Sequence, residues 1–200
     1  MKEYIRKTRE ERKAEIRAAA LDVFLAKGYK NTTMEDVINA TSLSKGGFYH
    51  YYSSTKEILI DIMKLSNYRF IEGSVKLEKK TSRQEIREVL TQSTLDRILG
   101  EKPERKLYLM FAYEMIYDPD FEKIYLQLEQ ESFALFEKAI RKQLPDFAFD
   151  SLKAKIQFLS RLINAVVLAQ KMFSDKQVFQ NNRDKLEEIF DALYRDILDG

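Results

Sequence analysis

Cysteine is absent from the sequence, histidine occurs once, and only three prolines and six glycines interrupt 200 residues. Without cysteine, the chain has no disulfide framework, no thiolate zinc site and no cysteine nucleophile, which fits a protein of a reducing compartment. The single histidine, His50, is too little to build a metal site. Since few residues break a helix and Ala, Leu, Glu, Lys and Arg are frequent, the composition favours a helical protein.

Long apolar segments are missing as well. No stretch approaches the roughly 20 consecutive apolar residues that a bilayer-spanning helix requires, and the charged residues 1–12 lack the apolar region of a signal peptide. With 44% hydrophobic residues the chain can still bury a core. We therefore expect a globular protein with a cytoplasmic location and no membrane partner.

Charge of one sign does not dominate, since the formal net charge is only +2. Residues 1–60 hold 11 Lys or Arg against 8 Asp or Glu, whereas residues 61–200 hold 23 against 24. A mild basic bias toward the N-terminus is in the direction expected of an end that faces phosphate groups, but many ordinary helices look the same. The charge distribution alone therefore carries little weight.

Apolar positions repeat at helical spacing along the chain, and several predicted helices begin with capping residues. Capping boxes are predicted at Thr8–Glu11, at Ser82–Glu85, and at either Thr32–Glu35 or Thr33–Asp36. Gly28 is the expected stop of the first helix. The predicted helices cover residues 8–27, 33–40, 45–51, 56–70, 82–99, 103–117, 121–143, 151–173 and 183–198. The pattern predicts an all-α fold of about nine helices without a strand.

Two short predicted helices follow each other between residues 33 and 52, with only a few residues of turn between them. A helix-turn-helix has this arrangement: its first helix crosses the DNA backbone, and its second presents N-terminal residues to the major groove. Ser44 is a good N-cap for the second helix, and Lys45 in its first turn can reach a guanine edge or a phosphate. Tyr49 and His50 add hydrogen-bond donors, and Lys56 begins the next helix where it can hold a phosphate.

Gly46 and Gly47 are unusual in so short a helix, since each costs about 1 kcal/mol relative to alanine. Close approach of this helix to a DNA backbone would explain both glycines. The alternative explanation is a tight helical turn packed on a core. In either case Phe48 is expected to be buried, and Tyr52 with it.

The segment from Phe24 to Leu59 resembles the DNA-binding domain of the TetR family of bacterial repressors. The residues that carry the resemblance are Gly28, Tyr29, Thr33, Val37, Leu43, Ser44, Lys45, Gly46, Tyr49, Lys56, Glu57 and Leu59. The chain departs from the family pattern at Ile38, Thr41 and Ser42, and the spacing from Tyr49 to Lys56 is one residue longer than usual. The turn between the two short helices is therefore expected to differ slightly.

The resemblance implies a fold, a function and a set of contacts. The fold is an N-terminal three-helix domain with a helix-turn-helix, plus a C-terminal helical bundle that forms a dimer. The function is that of a sequence-specific transcriptional regulator, a repressor that dimerises on a palindromic operator and is released by a small, largely apolar ligand. We place the DNA-binding domain at residues 1–55 and the ligand-binding and dimerisation domain at residues 56–200. The predicted DNA contacts are Thr33, Ser44, Lys45, Gly46, Gly47, Tyr49, His50 and Lys56.

Bulky apolar side chains are concentrated after residue 60, and they are either plain core or the lining of a ligand pocket. The predicted lining residues are Met63, Tyr68, Met110, Phe111, Glu114, Met115, Phe133 and Phe136. Glu114 lies in the middle of an otherwise apolar helix, so its carboxylate must be paired, protonated or near water. Its partner is either an Arg or Tyr of the fold or a cationic or hydrogen-bonding group of the ligand.

Residues 156–173 and 186–197 form two long predicted helices whose apolar stripes are wider than one neighbour requires. A symmetric dimer built as a four-helix bundle would cover them, and the alternative is intramolecular core. The predicted interface residues are Leu162, Ala165, Val166, Ala169, Ile189 and Leu193.

Enzymatic signatures are missing from the sequence: there is no Glu-x-x-His pair, no glycine-rich phosphate loop and no nucleophile elbow. We therefore predict no catalytic residue, no metal and no cofactor. The expected partners are double-stranded DNA, a second copy of the chain and a small-molecule effector. The alternative function is a helical ligand-binding or protein-interaction protein whose DNA-binding unit has degenerated.

Overall fold

The computed structural model describes residues 7–74, 82–175 and 177–199 of the chain. Within these ranges it consists of helices and no strand. The helices are α1 Arg9–Lys27, α2 Met34–Asn39, α3 Lys45–Tyr49, α4 Thr55–Ser74, α5 Arg83–Leu99, α6 Glu104–Tyr117, α7 Pro119–Gln143, α8 Phe149–Met172, α9 Gln177–Gln180 and α10 Arg183–Leu198. The predicted all-α fold is confirmed, with one short helix, α9, that the sequence pattern did not predict.

Local capping chemistry sets the start of three of these helices. The capping boxes of α1 and α5 form as predicted, with Thr8 and Ser82 as the capping residues. Of the two possibilities for α2, the structure has Thr33, whose hydroxyl accepts from the backbone N–H of Asp36. Gly28 ends α1 with a φ of 81°, a left-handed backbone angle that favours glycine.

Two apolar clusters make up the core. The N-terminal cluster gathers side chains of α1 to α4 together with Leu107 and Phe111 of α6 and Phe121 and Leu128 of α7. The C-terminal cluster gathers side chains of α5, α8 and α10 with Ile140 of α7 and residues of the loop before α8. Because α6 and α7 supply side chains to the N-terminal cluster, the first three helices rest on the larger C-terminal part of the chain.

Helix α4 is held against α1 by a polar contact around Asp61. The Arg17 guanidinium donates to the Asp61 carboxylate at 2.9 Å, the hydroxyl of the buried Tyr52 donates to the same oxygen, and the Lys13 ammonium lies 3.7 Å away. Burial opposes ionisation of Asp61, but the hydrogen bonds from Tyr52 and Arg17 outweigh it and lower the pKa of this carboxyl. These contacts therefore tie the first half of α4 to α1.

No helix in the described parts of the chain has both the length and the apolar content that a membrane span requires.

Candidate nucleic-acid interface and internal cavity

Helix α3 is anchored on one side and open on the other. Phe48 is completely buried in the N-terminal cluster, whereas Lys45, Gly46, Tyr49 and His50 are exposed. Tyr49 keeps 46% of its surface accessible, a large fraction for an aromatic side chain on a short helix. The predicted burial of Phe48 is thus confirmed, and the remaining side chains form an outward-facing edge.

The two glycines of α3 differ in what surrounds them. A Cβ added at Gly46 would meet no atom within 4 Å, while one at Gly47 would lie 3.2 Å from the Ser44 hydroxyl that caps the helix. Neither glycine has a positive φ. No neighbour in the described parts of the chain therefore requires glycine at position 46, whereas Gly47 makes room for the cap.

The turn between α2 and α3 is tied to α1 by polar contacts. The Ser42 N–H and hydroxyl both donate to one carboxylate oxygen of Glu15, at 3.0 and 2.5 Å, and Arg12 donates to the Ser42 hydroxyl at 3.1 Å. Thr41 turns inward and donates to the Ile38 carbonyl at 2.9 Å. Hydrogen bonds from Lys7, Ser42 and Arg12 lower the pKa of Glu15 to about 2. The departures from the family pattern at these positions are thus compensated by hydrogen bonds.

Thr33 and Lys45 are both exposed, and each has a partner within the domain. The Thr33 hydroxyl, besides its capping role, donates to the Asp36 carboxylate at 2.8 Å. The Lys45 ammonium lies 3.9 Å from the Glu35 carboxylate, and both side chains are largely exposed. Such an exposed pair is worth little, so Lys45 can exchange its partner for a phosphate or a base edge at small cost.

Lys56 lies at the start of α4, as predicted, but it has two partners within the chain. Its ammonium donates to Asp118 at 3.0 Å and to Asp120 at 3.1 Å, and it lies 4.8 Å from the centre of the Phe121 ring. The two hydrogen bonds outweigh burial and raise the pKa of Lys56. In this structure Lys56 therefore connects α4 to the start of α7, and contact with a phosphate would require breaking both ion pairs.

A group of basic residues that the sequence interpretation did not include lies beside α3. Lys7, Thr8 and Arg9 at the start of α1 line a surface depression together with His50 and Tyr51. The basic bias of the N-terminal residues was the signal in the sequence. Because Lys7 and Arg9 are far from α3 along the chain, the sequence could not show that they lie beside it. The exposed edge of α3 is thus flanked by additional positive charge.

A second ion pair joins the first helices to α6. The Lys30 ammonium, in the loop after α1, lies 2.8 Å from the carboxylate of Glu114, which is only 2% exposed. This hydrogen bond raises the pKa of Lys30. Next to it, Tyr29 packs edge-on against Phe24 and Phe121 at centroid distances of 5.5 and 5.8 Å. The structure thus pairs Glu114 with a lysine of the same chain, where the sequence analysis expected an Arg or Tyr of the fold or a group of the ligand.

A cavity of about 450 Å³ lies between α4, α5, α6, α7 and α8, with α10 closing one side. Four of the eight predicted lining residues border it: Met63, Phe111, Phe133 and Phe136. The other four do not line it. Met110 and Met115 pack partly buried against the N-terminal cluster, Tyr68 is exposed, and Glu114 is paired with Lys30. Apolar side chains lie on both faces of α6, so the sequence did not distinguish the face that borders the cavity from the face that packs against the N-terminal cluster.

Part of the polar lining of the cavity comes from α5 and α8, two helices that the prediction left out. Arg97 of α5 donates to the Asn164 side chain of α8 at 2.9 Å, and Asn164 donates to the Tyr125 hydroxyl at 3.2 Å. Leu90 and Arg97, seven residues apart on α5, both line the cavity. The sequence signal for this polar lining was Arg97, a charged residue on the apolar face of the amphipathic helix α5.

Apolar side chains remain uncovered along the outer face of α8 and α10. Phe158, Ala165 and Met172 are exposed at helical spacing on α8, and Ile189 is 51% exposed on α10. The other predicted interface residues, Leu162, Val166, Ala169 and Leu193, are half-buried. All six predicted residues thus keep accessible surface, although several also contact the C-terminal cluster.

Comparison with known proteins agrees with this architecture. Residues 16–62 match the family model described as "Bacterial regulatory proteins, tetR family". The chain is 40% identical over 78 residues to the uncharacterized HTH-type transcriptional regulator YfiR of Bacillus subtilis, covering 39% of this chain and 37% of that protein. It is 26% identical over 191 residues to an uncharacterized HTH-type transcriptional regulator in the lacX 3' region of Lactococcus lactis, covering 90% and 94%.

The fold recurs in solved structures. A TetR-family transcriptional regulator from Mesorhizobium loti superposes with a TM-score of 0.69 at 17% identity, covering 96% of this chain and 98% of that one. An exposed α3 on a three-helix unit, followed by a larger helical part, defines the class as a transcriptional regulator with a DNA-binding helix-turn-helix. Residues 16–62 are thus similar to the N-terminal domain of the TetR family of bacterial regulatory proteins, and the whole chain has the fold of a TetR-family regulator.

Proposed function

We propose that the protein is a repressor, that it binds a palindromic operator as a symmetric dimer, and that a small, largely apolar ligand releases it from DNA. The observation that carries the DNA-binding part is the exposed edge of α3, held outward by the buried Phe48. Residues 1–55 are the proposed DNA-binding domain, and residues 56–200 the ligand-binding and dimerisation domain. A repressor acts where the DNA is, so its location is cytoplasmic.

The proposed contacts follow from exposure and chemistry. Lys45, Tyr49 and His50 reach base edges or phosphates, and Gly46 lets a DNA backbone approach α3 closely. The hydroxyls of Thr33 and Ser44 and the backbone at Gly47 border this edge. Lys7 and Arg9 add phosphate contacts from the start of α1. Lys56 joins them only after it leaves Asp118 and Asp120.

The proposed dimer is supported by the apolar stripe on α8 and α10. Large exposed apolar patches on a helix pair are typical of a protein–protein interface. A two-fold axis through such a four-helix bundle would present two copies of α3, and successive major grooves on one face of DNA require them to lie about 34–36 Å apart. A change in this separation weakens operator binding.

Two helices run from the cavity to the DNA-binding helices. Helix α4 contributes Met63 to the cavity and Lys56 to the contact with Asp118. Helix α6 contributes Phe111 to the cavity and Glu114 to the ion pair with Lys30. A ligand that moves α4 against α6 therefore changes how α1 to α3 are oriented. A coupling of about 1–3 kcal/mol, which is common among allosteric proteins, would change operator affinity several-fold or more.

The DNA-binding part is tested with a duplex selected from a randomised pool by binding to the protein. Fluorescence anisotropy compares this duplex with a scrambled one at two salt concentrations. Lys45→Gln is expected to weaken binding to the selected duplex about ten-fold, since one good contact is worth about 1–3 kcal/mol. Lys64→Gln on α4, exposed and away from α3, is the matched control and leaves the affinity unchanged.

The selected duplex is expected to be a palindrome, and its affinity to fall steeply with salt. If no duplex from the pool binds more tightly than a scrambled one, the DNA-binding proposal is wrong and the chain is a ligand-binding or interaction protein.

A further inference from the structure

The wall of the cavity is strongly asymmetric in charge. Arg69, Arg97, Lys102 and Arg105 line it, against Glu129 as the single acidic lining residue among the side chains that the structure describes. Glu129 already contacts the Arg161 guanidinium at 3.4 Å and accepts from Gln157 at 3.2 Å. The lining thus carries an excess of positive charge inside an otherwise apolar space.

Three of these four cations are collected at one end, whereas Arg69 lies on α4, two residues beyond Asn67, which donates to the Ser132 hydroxyl of α7. Arg97 lies in the last turns of α5, Lys102 follows that helix, and Arg105 donates to the carbonyls of Asp96 and Gly100 at its end. Burial lowers the pKa of the Arg97 guanidinium, and the neighbouring positive charge of Arg105 lowers it further. A buried cation beside another cation gains more from an anionic partner than from an uncharged one.

The opposite end is largely apolar along α7 and α8. Along α8, Asn164 at the Arg97 end and Ile156 at the other end are separated by eight residues of helix, or about 12 Å. The lining along this part of α7 and α8 includes Leu159 together with Phe133 and Phe136. The cavity is thus elongated, with three cationic side chains and Asn164 at one end and a largely apolar wall of α7 and α8 at the other.

We infer that the ligand of this cavity is an elongated amphiphile with an anionic head group, a carboxylate or a phosphate, held by Arg97 beside Lys102 and Arg105. Its apolar tail lies along α7 and α8 toward Phe133 and Phe136. The inference rests on the proposed ligand function of the cavity and adds the charge and orientation of the ligand. Arg97, fixed by Asn164, is the residue that selects an anion.

Four probes with the same alkyl chain test the head group: decanoate, decyl phosphate, uncharged decanol and cationic decylamine. Isothermal titration calorimetry at neutral pH, below the micellar concentration of each probe, gives their affinities. At least one anion is expected to bind about ten-fold or more tightly than decanol, and decylamine more weakly than decanol. The tighter of the two anions distinguishes a carboxylate ligand from a phosphate ligand. Decanol or decylamine binding as tightly as both anions would overturn the inference.

Arg97→Gln tests the anion contact, because glutamine can still bond to Asn164 but carries no charge. Anion affinity is expected to fall about ten-fold while decanol affinity stays the same, and Arg83→Gln, exposed on the same helix, changes neither. An equal loss for anions and decanol contradicts a charge-selecting role. If Arg97→Gln does not fold, as judged by circular dichroism, Lys102→Gln takes its place, with Lys106→Gln as the control. Lys102→Gln is then expected to lower the affinity for the anions several-fold and to leave the affinity for decanol unchanged.

Release of the selected DNA duplex separates this inference from the proposed function. If decanol binds as well as the anions and releases the duplex, the head-group inference is overturned and ligand release stands. If an anion binds in an Arg97-dependent way without releasing the duplex, the head-group inference is supported and the release function is overturned. If none of the four probes binds, both are overturned.

Discussion

The folded chain does not require glycine at position 46, whereas close approach of DNA to α3 would. A methyl group at this position meets no neighbouring atom, and the backbone is not left-handed. Alanine also forms helix more readily than glycine. A glycine that the fold does not use is explained by a surface that must come close to another molecule.

Gly46→Ala is therefore expected to stabilise the protein by up to about 1 kcal/mol and to weaken binding of the selected duplex. Urea unfolding measures the first effect and fluorescence anisotropy the second. A variant that is more stable and binds DNA equally well would show that α3 does not approach the DNA backbone at this position.

Glu15 is the residue through which acid should weaken the DNA-binding helices. Its pKa is lowered from 4.5 to about 2 by hydrogen bonds from Lys7, Ser42 and Arg12, contacts that exist only in the folded chain. A carboxyl with a lowered folded-state pKa stabilises the fold above its ordinary pKa. This contribution is lost as the pH falls from 4.5 toward 2.

Glu15→Gln is accordingly expected to be less stable than the parent protein at neutral pH, and the difference should shrink as the pH falls from 4.5 toward 2. Thermal unfolding of both proteins across this range measures it. A difference that stays constant with pH would contradict the ion-pair and hydrogen-bond role of this carboxylate.

At the scale of elements, α6 is the helix that serves both parts of the molecule. One face lines the cavity through Tyr108 and Phe111, and Glu114 reaches Lys30 in the loop after α1. Because Glu114 is buried, removing its cation leaves a carboxylate in an environment that disfavours it. The ion pair is therefore a positioning contact between α6 and the DNA-binding helices.

Lys30→Met is expected to lower the unfolding midpoint in urea more than Glu114→Gln does, since only the former leaves a buried charge without its cation. The double variant Lys30→Met with Glu114→Gln should be at least as stable as Lys30→Met alone. Lys106→Met, exposed on α6, is the control and has little effect. Strictly additive losses would show that the two side chains act independently.

Helix boundaries could be predicted well where the signal is local. Capping residues act within four positions of the chain, so Thr8 and Ser82 and the glycine at position 28 identified the ends of α1 and the start of α5. Helix α9 was missed because four residues are too few to carry a periodic pattern. The short α3 was identified by its sequence motif rather than by its length.

For the whole molecule, the apolar stripe of α8 and α10 is the feature that calls for a second copy. Ala165 lies in the middle of the stripe, between the exposed Phe158 and Met172. Small residues at such a position allow two helices to approach closely, and a long charged side chain prevents it.

Ala165→Arg is thus expected to convert the proposed dimer to a monomer and to reduce affinity for the palindromic duplex at least ten-fold, because each monomer binds one half-site alone. Multi-angle light scattering measures the mass. Ala18→Arg, which adds the same charge to an exposed position of α1, is the control and is expected to remain a dimer by the same measurement. A parent protein that is already monomeric at micromolar concentration would refute the dimer.

The amino-acid order was sufficient for the all-α class, the helix-turn-helix and the burial of Phe48, because periodicity and capping depend on neighbours a few residues away. The partners of Lys56 and Glu114 and the place of Arg97 in the cavity could not be obtained in this way. Lys30 and Glu114 are far apart along the chain and meet only because α6 packs against α1. Which charged side chain lies beside which is decided by helix packing, and the electrostatic character of the cavity follows from that packing.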